Sequence, residues 1–145
     1  MSLASLVGVA LDVVTPSRQT IARLLAGAER QIRDAKSQAV SSETRFASAY
    51  GAIRMLADAA LHAHGYRTLT SRPGHHQTAI QSLRLTLGVD ARTIIRLDAL
   101  RRLRNSIEYT GNVVPSAALA ECVAQAEALH ATTVAWITTH RPKLA

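Results

Sequence analysis

The chain has 145 residues and a mass of 15.6 kDa, enough for one domain whose core needs no disulfide or metal to hold it. Apolar residues make up 48% and charged residues 19%, which excludes a disordered chain, and the single cysteine, Cys122, excludes an internal disulfide. The net charge is +7, and arginine outnumbers lysine fifteen to two. That charge admits a nucleic-acid, nucleotide or acidic-protein partner, although a GC-rich genome would give the same bias without function.

Alanine is abundant and β-branched runs are scarce, a profile that favours helices. The longest apolar stretch, Leu3 to Val14, is interrupted by Ser5, Gly8 and Asp12 and is shorter than a bilayer span. It has no basic run before it, so neither a signal peptide nor a membrane segment is expected, and the cytoplasm is the expected location.

Residues 1–14 read as an apolar N-terminal arm. Leu3, Leu6, Val7, Ala10, Val13 and Val14 fit a helical stripe, as a helix or as a strap on the core. Residues 15–140 read as one helical domain. Thr15 and Pro16 match an N-cap and first-turn pair, and Ile21, Leu24, Leu25, Ala28 and Ile32 recur at helical spacing, predicting a first helix to about Ala39. Ser41 or Ser42 caps a second helix, with Phe46, Tyr50, Ile53, Ala57, Ala60 and Leu61 facing inward and Gly65 as its stop. Tyr66 to Gly74 reads as a loop. A third helix carries Ile80, Leu83 and Leu87. After Asp90 a fourth steps through Ile94, Leu97, Leu100, Leu103 and Ile107 to Gly111. Pro115-Ser116 opens a fifth, with Leu119, Val123, Ala126, Leu129, Thr133 and Ile137 on the core side. No segment has strand periodicity. The loops are short, so an all-α antiparallel bundle of four to five helices is predicted.

The sequence offers little for metal or nucleophilic chemistry. Glu127 and His130 have the Glu-x-x-His spacing of a carboxylate di-iron bundle, but such a site needs a second pair and further facing glutamates. His62 and His64, two apart on a helix, point to different sides. Cys122 sits among apolar helical positions and reads as core. No phosphate-binding glycine loop and no Ser-His-Asp pattern is present. Neither a metal nor a cofactor is expected.

The informative run is Leu100-Arg101-Arg102-Leu103-Arg104-Asn105-Ser106-Ile107-Glu108-Tyr109-Thr110-Gly111. Arg101, Arg104 and Glu108 are expected on the face away from Leu100, Leu103 and Ile107. Arg104 and Glu108, four apart, can pair. This run reads either as dipole-complementing cations with a surface ion pair, or as guanidinium groups and Asn105 lining a polar cleft for phosphate or RNA.

Three stretches together resemble the HEPN superfamily of small helical bundles. They are Ala49-Tyr50-Gly51-Ala52-Ile53-Arg54 with Gly65-Tyr66-Arg67, then Gly74-His75-His76, then Arg104-Asn105-Ser106-Ile107-Glu108-Tyr109. The resemblance covers most of residues 16–139 and implies a HEPN-like bundle, a homodimer with the third and fourth helices and the polar end near the interface, and a nucleotide- or RNA-related role. HEPN ribonucleases carry an arginine, a polar residue and, a few positions on, a histidine. They cut RNA without metal. Arg104 and Asn105 match the first two, and Glu108-Tyr109 stands where the histidine would be. This form resembles HEPN proteins with Asp-Tyr or Glu-Tyr there, some of which partner minimal nucleotidyltransferases in toxin–antitoxin pairs.

Two functions follow as expectations. One is a non-catalytic accessory or binding module whose cleft of Tyr50, Arg101, Arg104, Asn105, Glu108 and Tyr109 takes a nucleotide, RNA or a partner protein. The other is a divergent metal-independent endoribonuclease, in which Arg104 stabilises the transition state, Asn105 orients it, and His75 or His76 replaces the missing base. That second role requires His75 or His76 to lie beside Arg104. A purely structural helical subunit is the third reading.

Overall fold

A computed structural model describes residues 1–145 as five helices and a small antiparallel ribbon. The helices are α1 (Arg18–Ala35), α2 (Ser42–Ala63), α3 (His75–Thr86), α4 (Ala91–Thr110) and α5 (Ser116–His140). The fold is the all-α bundle its periodicity predicts. No helix is long and apolar enough to cross a membrane.

Local capping chemistry sets the starts of three helices and the end of one. The Ser41 hydroxyl accepts the Thr44 N–H at 3.2 Å and opens α2. The Asp90 carboxylate accepts the Thr93 N–H at 2.7 Å and opens α4. Each satisfies one of the N–H groups a helix start leaves without a partner. Gly111, at φ +69°, ends α4 in the left-handed conformation that a residue with a Cβ rarely adopts. The first helix departs from expectation at both ends. Ser17 rather than Thr15 is its N-cap, accepting from the Thr20 N–H at 3.2 Å, and it stops at Ala35 rather than near Ala39. Thr15-Pro16 instead forms the lead-in to that cap.

Helix α2 is the centre of the bundle, with α1, α3, α4 and α5 all packed on it. It is therefore buried almost all round: Phe46, Ile53, Leu56 and Leu61 fill the volume, while Ala49, Ala52, Ala57, Ala59 and Ala60 let neighbouring backbones approach. Cys122 and Ala126 of α5 close the same core, and burial pushes the Cys122 thiol up to about 12, so it stays a thiol.

The N-terminal arm is not a helix. Residues Ala4–Leu6 form one 3-10 turn, and Leu11–Val13 forms strand β1. It pairs antiparallel with strand β2 (Tyr66–Thr68), the start of the expected loop, with Leu11 opposite Thr68 and Val13 opposite Tyr66. Two features override the helical stripe. Gly8, at φ +81°, breaks any helix there, and the fully buried Leu11 anchors an extended segment whose backbone groups then bond to β2. The arm is thus a strap across the ends of α1 and α2.

Candidate functional site

Side chains from three helices converge on one face of the bundle. On α2, Tyr50, Arg54 and Asp58 follow one another at four-residue spacing and share a stripe. His75 and His76 open α3, their rings edge to face at 4.3 Å. Arg101 and Arg104 come from α4. The Arg104 guanidinium sits 5.7 Å from the Tyr50 ring centre, and Arg54 Nη1 lies 3.2 Å from His76 Nε2.

The α4 arginines do not face away from the core as their spacing suggests. Leu97, Arg101 and Arg104 advance by four and three residues, so they lie on one inward stripe that changes from apolar to cationic, and Glu108, four further on, carries it out to solvent. Arg101 is turned in, with its side chain 15% exposed, and Arg104 rests on Tyr50. Asp98, buried one turn earlier, holds this arrangement. One of its oxygens takes Arg101 Nε at 2.8 Å and the other takes Arg102 Nε at 3.1 Å. Arg104 pairs with Glu108 at 3.0 Å, as its spacing predicts, on the solvent side of the cluster.

The remaining sequence candidates divide. Asn105 is half-buried beside Arg101 and Arg104 on α4. Tyr109 is 89% exposed, so the structure does not gather it into the cleft. An architectural Arg104–Glu108–Tyr109–Tyr50 network does not form. The Tyr50 hydroxyl and Arg104 Nε are instead buried without a hydrogen-bond partner. Orphaned buried polar atoms cost free energy unless a ligand or water completes them, and two of them meet here.

Charge and burial fix the protonation states. Burial pushes the Tyr50 hydroxyl up to about 12, and the nearby charges of Arg101, Arg104 and Arg54 only partly offset that rise, so it remains a neutral donor. His76 is driven down to about 4, first by burial and then by Arg54, His75, Arg104 and Arg101. It is neutral at neutral pH. A guanidinium can only donate, so Nε2 accepts from Arg54 and the ring proton sits on Nδ1. The cluster therefore holds three guanidinium groups around a neutral phenol and a neutral imidazole. Asp98, with Glu108 at the edge, is the acidic counterweight on α4.

Sequence reasoning missed Arg54 and Asp98. Each is a charged residue four or three positions from a recognised candidate, on a face that otherwise buries apolar side chains. That placement is the signal that could have found them. Glu127 and His130, at metal-ligand spacing, go to separate partners: Glu127 to Lys36 at 2.8 Å and His130 to Glu29 at 3.1 Å. No group of three or more His, Cys, Asp or Glu side chains gathers into a metal-sized cluster. No protein-family model, curated protein or solved structure matches the chain.

Proposed function

We propose that this chain is a HEPN-like, non-catalytic binding module that holds a phosphate-bearing ligand, an RNA backbone or a nucleotide, on its α2–α3–α4 face. The observation that carries this reading is the gathering of Arg54, Arg101 and Arg104 near Tyr50, with Arg104 on its ring and its buried hydroxyl unpartnered. Guanidinium forks match phosphate oxygens bidentately, and a phenol held neutral adds one more donor. Asn105 lies at the edge of the same face. The HEPN resemblance and the net charge of +7 support the same class of ligand.

The test is fluorescence anisotropy with a labelled single-stranded RNA and with a labelled nucleotide, in EDTA. Binding is expected to weaken as salt rises from about 50 to about 200 mM. Arg104→Gln is expected to weaken it about tenfold or more, the worth of one lost charge-assisted hydrogen bond. A folded wild type that binds neither probe at the lower salt overturns the reading.

The second reading is a metal-independent endoribonuclease. It is favoured by the position of His76, which feels the charges of both Arg101 and Arg104 and so has a place in the same cluster. Against it, an imidazole driven down to about 4 is a weak base, and its Nε2 lone pair is already taken by Arg54. RNA cleavage in EDTA that disappears in both Arg104→Ala and His76→Ala would establish it.

The resemblance also supports a homodimer and an association with a nucleotidyltransferase. Tyr109 and Val113, 89% and 77% exposed at the end of α4 and just beyond it, are the surface such a partner would cover. Sedimentation of wild type and a Tyr109→Glu/Val113→Glu double variant tests the dimer.

A further inference from the structure

A second feature lies one helical turn from the arginine cluster. Between the β1–β2 strap, α1 and α2 is a cavity of about 490 Å³. That size lies within the range of small-molecule pockets. Leu24 and Leu69 give it apolar walls, Tyr66 an aromatic one, and Thr68 a hydroxyl. From α2, Asp58 and His62 line it.

The two titratable groups have complementary roles. Asp58 enters none of the ion pairs of the fold. Burial pushes its carboxyl up to about 6 despite the nearby charges of Arg54 and His75, and no hydrogen bond holds it down. It is still mostly ionised at neutral pH, and so can only accept. His62 Nε2 accepts the Ser17 N–H at 2.9 Å, which leaves the ring only its Nδ1–H to give. The cavity therefore offers an unpaired acceptor, Asp58, and a donor, His62, while its other polar lining is the hydroxyls of Thr20, Thr68, Thr70 and Ser71 and the Arg67 guanidinium, which pairs with Asp12 at 3.2 Å.

It also adjoins the cationic site. Asp58 follows Arg54 by four residues, about 6 Å along the helix, and Arg54 bonds His76. The loop through Leu69 that walls the cavity runs on into α3, where His75 and His76 stand. One nucleotide can bridge such a separation, with its base at one end and its phosphate at the other.

Resting on the phosphate reading above, we propose that this cavity is a nucleobase pocket, in which Asp58 accepts N–H groups from a base carrying an amino group while the phosphate lies on Arg54 and the α4 arginines. Adenine, cytosine and guanine each present such an amino group. Uracil does not: it has a single ring N–H flanked by two carbonyl oxygens, which an unpaired carboxylate repels. Tyr66 provides a stacking face for the base.

The experiment is calorimetric titration of the full chain with AMP, CMP, GMP, UMP, ribose 5-phosphate and adenosine. Amide shifts of Tyr66 and Thr68 are read by NMR alongside. At least one amino-bearing nucleotide is expected to bind about tenfold or more tighter than UMP and ribose 5-phosphate, and to shift both amides. Asp58→Asn keeps the side-chain shape and removes a buried charge, so folding is retained, and it is expected to erase that preference, the affinities of the amino-bearing nucleotides falling toward that of UMP. If all the phosphates bind alike, Asp58→Asn is silent and Arg104→Gln weakens every one, the pocket proposal fails and the phosphate reading stands. If adenosine binds as well as AMP and Arg104→Gln is silent, the phosphate reading fails, and with it the two-ended nucleotide. Absence of binding by every probe overturns the pocket proposal, and the RNA titration above then decides the phosphate reading.

Discussion

The Arg104 guanidinium rests over the Tyr50 ring with 5.7 Å between them, joining a cation of α4 to an aromatic of α2. Each contributes a buried polar atom without a partner, Arg104 Nε and the Tyr50 hydroxyl. The contact is attractive through the ring quadrupole, but it does not satisfy either donor. Stability alone gives little reason for that pair, whereas recognition of an anion gives a direct one.

Tyr50→Phe separates these two roles. It removes an unsatisfied buried hydroxyl and keeps the ring under Arg104. The free protein is expected to gain about 1 kcal/mol, seen as a higher midpoint in denaturant. Affinity for the phosphate probe is expected to fall in the same variant. A loss of stability instead would mean that the hydroxyl is satisfied in solution.

Asp98 is the residue on which the orientation of the α4 arginines depends. It is buried, and its two oxygens hold Arg101 and Arg102. Asp98→Asn strands the inward Arg101 and is expected to cost about 3 kcal/mol. Arg102, with its side chain 73% exposed, is the control, and Arg102→Ala is expected to cost under about 1 kcal/mol. Urea unfolding of the two variants checks the contrast.

Much of this was legible from spacing. Caps at Ser41 and Asp90, the Gly111 stop and the apolar faces of α4 and α5 all follow from local chemistry that a sequence displays directly. The arm was not legible, because Leu3 to Val14 satisfies a helical stripe, and only the pairing of Leu11 with Thr68, more than fifty residues away, makes it a strand. The arginine cluster was half legible. Arg101 and Arg104 stood out by their density, but their inward turn depends on α2, whose Tyr50 supplies the surface they rest on. Arg54 entered the sequence reading only as one residue of the α2 stretch, and only the arrival of α3 makes it a partner of His76.

Gly65 ties the strap to α2. Its φ is +90°, its carbonyl accepts the Val14 N–H at 2.9 Å, and a Cβ there would meet Val14 O at 3.4 Å. Gly65→Ala is expected to cost about 1–2 kcal/mol from the backbone conformation alone. It also loosens β1 from β2, and faster hydrogen exchange at Val14 and Leu69, whose amides bond to Gly65 and Ala10, would report this.

The pH dependence of stability carries two opposing contributions from this face. Asp58 is raised in the folded protein from 3.8 to about 6, so the native state holds the extra proton between those values. Its contribution is fully present below pH 3.8 and is lost as pH rises through 6. His76 is lowered from 6.5 to about 4, so there the unfolded chain holds the extra proton. That contribution is present above pH 6.5 and is lost as pH falls toward 4. His62 and His64 are lowered by burial as well and act in the same sense as His76. Between pH 4 and 6 the acid and the imidazoles therefore pull the stability curve in opposite directions. Asp58→Asn removes the falling component, and stability is expected to rise more steeply with pH across this window than in wild type. His76→Gln removes part of the rising component and is expected to flatten or invert the slope. Denaturant midpoints measured from pH 4 to 7 for the three proteins decide it. Parallel curves for all three would mean that neither group titrates differently in the folded and unfolded chains, and the neutral imidazole and half-buried carboxylate invoked for the site would lose their basis.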